Sequence, residues 1–419
     1  MGGQEAASVG PPVVAGPVSA SPGAMADEST RPPPKAAPEG RGRRRGAAEL
    51  GLKATGPRLP RRVGRTLLAA CLLFACSEEP QRVSGSPSEG LVFIRIVRGS
   101  TEVMRARLSD GAVRALTDTP DREEAWPYWS PTSRLLVFQA AVGGEGAKND
   151  LLLWDPERRT ERHLSRTPRR DERWPAWSPD GMFLVHAFRA GRSAAGVVIA
   201  NLATGTSGPV ATSSGLDFFL RPSFDPGGRR LVAQRRDESG RGSQLWILAP
   251  SEAPQPLTSD PAWFDMKAQF TRDGSRVLFS RRPAAGGPHD IVSIAADGSG
   301  LRTHASRPDS DDNSATPSPE RDEFAFVSDR AGNFEVWVAD FEGDRVQQLT
   351  HTPDINEFAP RWSPDGERLA VIASPASLGP PRLVDRERLA NAHVLVLDRT
   401  GRVLFDAPGY NPDWMPPWP

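Results

Sequence analysis

The sequence predicts an all-β fold in one large domain, and three observations support this. The chain contains 42 Pro and 39 Gly in 419 residues, a density of turn formers that suits many short strands better than long helices. Its apolar residues come in short runs rich in β-branched and aromatic side chains, which are typical of strands. A short motif also recurs along the chain at a near-constant interval. One all-β domain can exceed about 200 residues, so the length is compatible with a single domain.

The repeated motif is Pro-x-Trp-Ser-Pro, followed in two copies by Asp-Gly. Strict copies start at Pro127, Pro175 and Pro360, degenerate copies at Pro222, Ala268 and Ala315, and a last copy at Pro412. Positions 129, 177, 224, 270, 317, 362 and 414, which align on the aromatic residue, are 48, 47, 46, 47, 45 and 52 residues apart. In the turn, Pro presets the backbone, Asp bonds to it and Gly supplies a positive φ, so the motif is structural. The predicted structural anchors are Trp129, Trp177, Phe224, Phe270, Trp362 and Trp414.

Every anchor except the last is followed by further apolar runs, giving four strands per repeat. Four strands in a period of about 45 residues are the signature of a β-propeller blade. Residues 91–117 supply strands without an anchor, whereas the anchor at Trp414 has no strands after it. We therefore expect the C-terminal strand to complete the first blade, which predicts a closed propeller of seven four-stranded blades and removes exposed sheet edges. A six-bladed ring is the alternative.

The motif and its period resemble the TolB-like propeller repeat over residues 91–419. The resemblance implies a scaffold that binds other proteins or peptides of the cell envelope, as TolB does within the Tol–Pal system. TolB carries an α/β domain before its propeller, and residues 77–90 are too short for one. We therefore expect a TolB-like protein that is not a strict TolB ortholog.

The N-terminal segments predict export and lipid anchoring. Residues 1–57 are rich in Ala, Gly, Pro and Arg and are interpreted as a disordered extension, or as a segment upstream of the true start. Residues 58–76 combine a basic stretch, an apolar run and Cys76, the parts of a secretory signal whose end resembles a bacterial lipobox. Cys76 is the predicted lipidation site, with Cys71, an ordinary cleaved signal or a twin-arginine signal as alternatives. Residues 77–90 then form a flexible tether, and the protein is placed in the bacterial envelope, facing the periplasm or the outside.

Known catalytic motifs are absent from the sequence. Lys plus Arg and Asp plus Glu both number 52, so no net charge attracts nucleic acid. No nucleophile elbow, zinc-binding helix or phosphate-binding loop occurs, and the six His residues lack metal-ligand spacing. The sequence therefore predicts a monomer without catalytic residues, metal or other cofactor.

One set of charged residues recurs with the repeat. Most repeats have a carboxylate five residues before the anchor position. In a closed propeller these carboxylates would surround one mouth of the central channel. The set consists of Glu124, Glu172, Asp265, Asp312 and Glu357, with Asp217 at a shifted position. One hypothesis is an acidic rim that binds a protein partner; the other is that each carboxylate bonds to backbone in its own or the adjacent blade. The predicted function is non-enzymatic protein binding, and the alternative is a propeller enzyme acting on envelope carbohydrate or a lactone at the channel mouth.

Overall fold

The structure is a computed structural model that describes residues 90–142, 147–165, 167, 169–214, 217–237, 242–378 and 386–416. The predicted extension, signal and tether, with Cys76, lie outside these ranges apart from Gly90, and remain predictions. No helix in the described ranges has the length and apolar character needed to cross a membrane.

The described residues form strands almost throughout, with one 3₁₀ turn (Ala376–Leu378) and one short helix, α1 (Arg386–Ala390). The strands are β1 (Gly90–Val97), β2 (Ser100–Arg107), β3 (Val113–Ala115), β4 (Arg122–Trp129), β5 (Leu136–Val142), β6 (Asn149–Asp155), β7 (Thr160–His163), β8 (Asp171–Trp177), β9 (Phe183–Ala190), β10 (Ala194–Asn201), β11 (Ser207–Ser214), β12 (Phe218–Phe224), β13 (Leu231–Arg236), β14 (Ser243–Leu248), β15 (Gln255–Pro256), β16 (Trp263–Phe270), β17 (Arg276–Pro283), β18 (Asp290–Ala295), β19 (Arg302–Ala305), β20 (Asp312–Pro317), β21 (Glu323–Ser328), β22 (Glu335–Asp340), β23 (Val346–Gln348), β24 (Ile355–Trp362), β25 (Arg368–Pro375), β26 (His393–Asp398), β27 (Val403–Pro408) and β28 (Tyr410–Trp414). The predicted all-β class is present.

The strands make a β-propeller with five four-stranded blades and one eight-stranded sheet among the described residues. The blades have the orders β28-β1-β2-β3, β4-β5-β6-β7, β11-β10-β9-β8, β20-β21-β22-β23 and β24-β25-β26-β27, and β12 to β19 form the larger sheet. The prediction of seven four-stranded blades, and the six-blade alternative, are therefore wrong.

The eight-stranded sheet arises from one parallel contact that the repeat pattern does not reveal. Ser243 in β14 pairs in parallel with Phe264 in β16, and the Ser243 hydroxyl donates to the carbonyl of Asp265 at 2.6 Å. The fourth strand, which would pair along the outer edge of β14, consists only of Gln255–Pro256. Prolines at 254 and 256 lack the backbone N–H groups that would donate to β14. Because β15 is so short, β14 bonds directly to β16, and the two runs of strands share one hydrogen-bonded sheet.

The anchor residues end the innermost strands. β4, β8, β12, β16, β24 and β28 stop at Trp129, Trp177, Phe224, Phe270, Trp362 and Trp414, respectively. Three anchor indoles donate to a backbone carbonyl of the preceding inner strand: Trp177 to Tyr128 at 3.0 Å, Trp362 to Thr316 at 3.2 Å and Trp414 to Arg361 at 2.9 Å. The anchors therefore join neighbouring inner strands as well as filling the core.

The hydrophobic core lies between successive sheets. The largest fully buried side chains are phenylalanines, and most of them stand on the strands next to the innermost ones, for example Phe93, Phe138, Phe279 and Phe324. Leu91 and Phe93 of β1 pack against Val394 and Val396 of β26. Because a sheet lies on each face, the strands are apolar in continuous runs rather than in alternation.

Candidate functional site

The predicted rim carboxylates are buried in the structure. Side chains at all five positions retain at most 1% of their accessible surface: Glu124, Glu172, Asp265, Asp312 and Glu357. They lie at equivalent points near the starts of their strands, as the spacing indicates, but they face protein rather than solvent.

Hydroxyl groups of the preceding loop surround three of these carboxylates. Glu124 accepts hydrogen bonds from the hydroxyls of Thr117 at 2.5 Å and Thr119 at 3.0 Å. Glu357 accepts equivalent bonds from Thr350 at 3.2 Å and Thr352 at 2.5 Å. Glu172 receives the hydroxyls of Ser165 and Thr167. Each carboxylate therefore fixes the loop that leads into its inner strand.

Arginines neutralise the two aspartates. The Arg281 guanidinium contacts both oxygens of Asp265, at 2.6 and 2.8 Å. The Arg330 guanidinium lies 2.7 Å from Asp312. These contacts favour the interpretation that the carboxylates hold the blades together, although through side chains more than through backbone, and a partner has no access to them in this conformation.

Burial raises the pKa of Glu357 to about 8, and the neighbouring carboxylate of Glu335 adds to the effect. The folded protein therefore binds a proton that the unfolded chain releases at about pH 4.3, so stability falls as pH rises between these values. We expect Glu357→Gln to match the native protein at pH 5 and to exceed its unfolding free energy at pH 8 by about 1 kcal/mol or more. Urea unfolding at both pH values measures this. The exposed control Glu342→Gln should keep the native pH dependence, and a Glu357→Gln profile parallel to the native one would contradict the prediction.

A β-bulge interrupts the innermost strands at a fixed position, three residues before the anchor-equivalent residue. There the register with the next strand shifts, for example between Ala125 and Tyr128 and between Met266 and Gln269. A bulge leaves the extra residue unpaired and re-aims its side chain. The residues at the bulges all have φ between 48° and 57°, and we call them the axial set: Trp126, Trp174, Arg221, Lys267, Ser314, Ala359 and Asn411.

Members of the axial set meet although they belong to different strands. The Arg221 guanidinium on β12 lies 5.1 Å from the centre of the Trp126 ring on β4, and β8 stands between these two strands in the chain. The Lys267 ammonium donates to the Ser314 hydroxyl at 2.6 Å and to the side-chain oxygen of Asn313 at 3.1 Å. The bulges therefore gather these side chains around the propeller axis.

A second group of polar residues lies two positions further along the inner strands. Arg361 donates to the Tyr128 hydroxyl at 3.1 Å and to a carboxylate oxygen of Asp413 at 3.1 Å. The other oxygen of Asp413 accepts the backbone N–H of Trp129 at 2.9 Å. Arg361 keeps 37% of its side-chain surface accessible, so solvent reaches this group.

Comparison with known families matches residues 173–357 to the TolB beta propeller domain. These residues carry TolB-like propeller repeats. The anchor-equivalent positions 177, 224, 270 and 317 of the predicted repeat lie within this range. No curated protein sequence matches the chain.

Solved structures resemble the TolB-like propeller at low sequence identity. A prolyl endopeptidase superposes with a TM-score of 0.59 and 10% identity over 76% of this chain and 48% of its own, so the chain spans about half of that enzyme. An oligogalacturonate lyase from Vibrio parahaemolyticus gives 0.53 and 11% identity, covering 68% of this chain and 83% of its own. A putative TolB from Agrobacterium tumefaciens gives 0.45 and 20% identity, covering 62% and 89%. At these identities the likeness concerns the fold alone.

The axis of the TolB-like propeller carries more positive than negative charge. Arg221, Lys267 and Arg361 contribute cations, and the one carboxylate in hydrogen-bond contact with any of them is Asp413, as far as the described residues show. Burial, together with the charge of Arg221, lowers the pKa of Lys267 to about 8. Burial also raises the pKa of Asp413 to about 6 despite the opposing charge of Arg361. In the ranges the structure describes, no cluster of His, Cys, Asp or Glu has the arrangement of a metal site.

Sequence reasoning missed Arg221 and Lys267 as site residues. The available signal was positional, because both stand three residues before an anchor-equivalent residue, as Trp126 and Trp174 do. The residue type at this position differs from repeat to repeat, so no recurring side chain marks it in the sequence.

Proposed function

We propose that this protein is a non-enzymatic scaffold whose TolB-like propeller binds a protein or peptide at the axial set. The observation that carries the proposal is the gathering of Trp126, Trp174, Arg221 and Lys267 at the axis by strained bulges. A non-glycine residue at positive φ costs of order 1 kcal/mol or more, and such strain concentrates at functional sites. A shared bulge alone would not require large or charged side chains there.

The two tryptophans suit a protein interface. Both are partly exposed, and their indole N–H groups donate to no acceptor that the described residues supply. Trp contributes a large apolar surface and one polar donor, which explains its enrichment among residues that dominate interface energies. Arg221 stacked on Trp126 adds a donor-rich edge to the same surface.

The lipid-anchored location belongs to the same proposal. A lipid on Cys76 would hold the scaffold at a bacterial membrane, as a monomer whose partner is another envelope protein or a segment of one. The scaffold would then act by recruitment, bringing its partner to the membrane without chemical change.

Site-specific crosslinking in intact cells tests the proposal. A photo-crosslinking residue replaces Arg173, which is exposed and adjacent to Trp174. We expect one envelope protein in the adduct, and we expect the pair Trp126→Ala and Trp174→Ala to reduce the adduct about tenfold or more, since such residues often contribute above 1.4 kcal/mol each. The matched control is Leu301→Ala with Val403→Ala, two exposed apolar residues of other surfaces, which should leave the adduct unchanged.

The absence of any protein adduct would contradict the scaffold and favour the enzymatic alternative. One observation supports that alternative: the Lys267 amine lies 2.6 Å from the Ser314 hydroxyl, a contact in which an amine of lowered pKa could activate a hydroxyl for attack on a lactone. If the native protein then hydrolysed lactones or envelope glycans and Ser314→Ala did not, the result would support the enzymatic alternative.

A further inference from the structure

In the part of the chain that the structure describes, two cations of the axial set have no carboxylate in hydrogen-bond contact. The Arg221 guanidinium lies 5.1 Å from the centre of the Trp126 ring, and no described group accepts a hydrogen bond from it. Among the described residues, Lys267 donates only to the neutral oxygens of Asn313 and Ser314. They stand at equivalent bulge positions of β12 and β16, two inner strands that contact each other, and the charge of Arg221 contributes to lowering the pKa of Lys267.

Two carboxylates of this region, Asp413 and Asp311, already have partners. Asp413 pairs with Arg361 and accepts the Trp129 backbone N–H. Asp311, whose charge also acts on Lys267, accepts the backbone N–H of His289 at 3.0 Å and lies 2.7 Å from its ring nitrogen. Neither is in hydrogen-bond contact with Arg221 or Lys267, so no direct ion pair neutralises either cation within the described structure.

The pair also has unused hydrogen-bond donors. A guanidinium offers five N–H groups in a planar fork, and an ammonium offers three. The Arg221 guanidinium lies over the Trp126 ring and donates to no acceptor among the described residues, while Lys267 uses two of its three donors on described residues. A fork beside a point charge is the arrangement that binds a carboxylate through charge-assisted bonds.

We infer that Arg221 and Lys267 form an anion site that binds a carboxylate of the captured peptide. The site rests on the proposed function and specifies its ligand, because the peptide must present an acidic side chain or a free C-terminus at the axis. Trp126, on which Arg221 stacks, contacts the apolar part of the same segment. Charge neutralisation then contributes to affinity together with aromatic contact.

Calorimetry with short peptides tests the site without the natural partner. The probes are an acetylated and amidated Gly-Trp-Glu-Gly, its Gln counterpart, and a Gly-Trp-Gly-Gly with a free C-terminus; inorganic phosphate is a separate probe. We expect the Glu or the free-carboxylate peptide to bind about tenfold more tightly than the Gln peptide, the usual scale of a charge-assisted bond. Arg221→Gln and Lys267→Gln should each remove that preference.

Two controls keep the result interpretable. Arg114→Gln neutralises an exposed cation on β3 and should preserve the preference. Arg221→Lys keeps the positive charge but removes the planar set of guanidinium donors. If this variant prefers the Glu peptide less strongly than the native protein does, the guanidinium geometry contributes to binding. This comparison remains informative even if Arg221→Gln does not fold. Equal binding of the Glu and Gln peptides, or binding of phosphate alone, would overturn the carboxylate site. The crosslinking experiment can still succeed in that event through the tryptophans, so the two failures are distinguishable.

Discussion

Truncation after Pro408, which removes β28, should abolish the cooperative unfolding of a stable monomer. β28 pairs with β1, placing Trp414 opposite Leu91, and the Met415 N–H donates to the Gly90 carbonyl at 3.0 Å. Trp414 is 6% exposed, and removing a buried Trp side chain alone costs about 3–5 kcal/mol. The truncation also uncovers the whole edge of β1, and an unpaired edge promotes association between chains.

Sedimentation and urea unfolding of the truncated protein measure this loss. We expect oligomers or aggregate in place of a monomer, with no single unfolding transition. A peptide of residues 409–419 added in trans should restore the transition, whereas the same peptide with Trp414→Ala should restore it far less. A monomeric truncated protein with native stability would show that β28 contributes nothing to closure.

The sequence predicted the strand pattern because one physical rule governs each repeat. Anchor aromatics such as Trp129 end the inner strands because a turn containing Pro or Gly follows them, and the continuous apolar runs reflect burial on both faces. An anchorless first repeat and an isolated last anchor are the sequence signal for the pairing of β28 with β1. The family of the repeat followed from the same residues.

The sheet count was not predictable from the period. Whether two repeats share one sheet depends on a single parallel pair, Ser243 with Phe264, and on the length of β15. The repeat period gives the number of apolar runs. It does not show whether a run such as Gln255–Pro256 forms a strand long enough to keep β14 and β16 apart.

The site was predicted less well than the strands, for a reason that the acids illustrate. Spacing places Glu124 and Glu357 at equivalent points, but it does not say whether a carboxylate faces solvent or a threonine of the preceding loop. The threonines stand seven and five residues earlier in both repeats, so the paired pattern was present in the sequence. Arg221 and Lys267 share a position but no residue type, and only the bulge geometry brings them together.

Arg330→Ala should lower the free energy of unfolding by about 3–5 kcal/mol, because it leaves the buried Asp312 carboxylate without its counter-charge. The side chains of Arg330 and Asp312 are 6% and 0% exposed. The guanidinium also donates to the Ser328 hydroxyl at 2.8 Å and lies 5.0 Å from the centre of the Trp337 ring. Arg107→Ala, which breaks a pair whose side chains are 45% and 47% exposed, should cost less than about 1 kcal/mol.

Urea unfolding of both variants provides the comparison, and the double variant Asp312→Ala with Arg330→Ala isolates the charge. If the unpaired carboxylate causes the loss, the double variant should be more stable than Arg330→Ala alone. Equal losses in Arg330→Ala and Arg107→Ala would contradict a buried pair at this position.

Asp312 also separates the two interpretations of the acids. A carboxylate that only holds the fold together changes stability when it is altered, so Asp312→Asn should leave the amount of crosslinked adduct per folded molecule unchanged. If the acids form a rim that binds the partner, Asp312→Asn should instead remove the adduct.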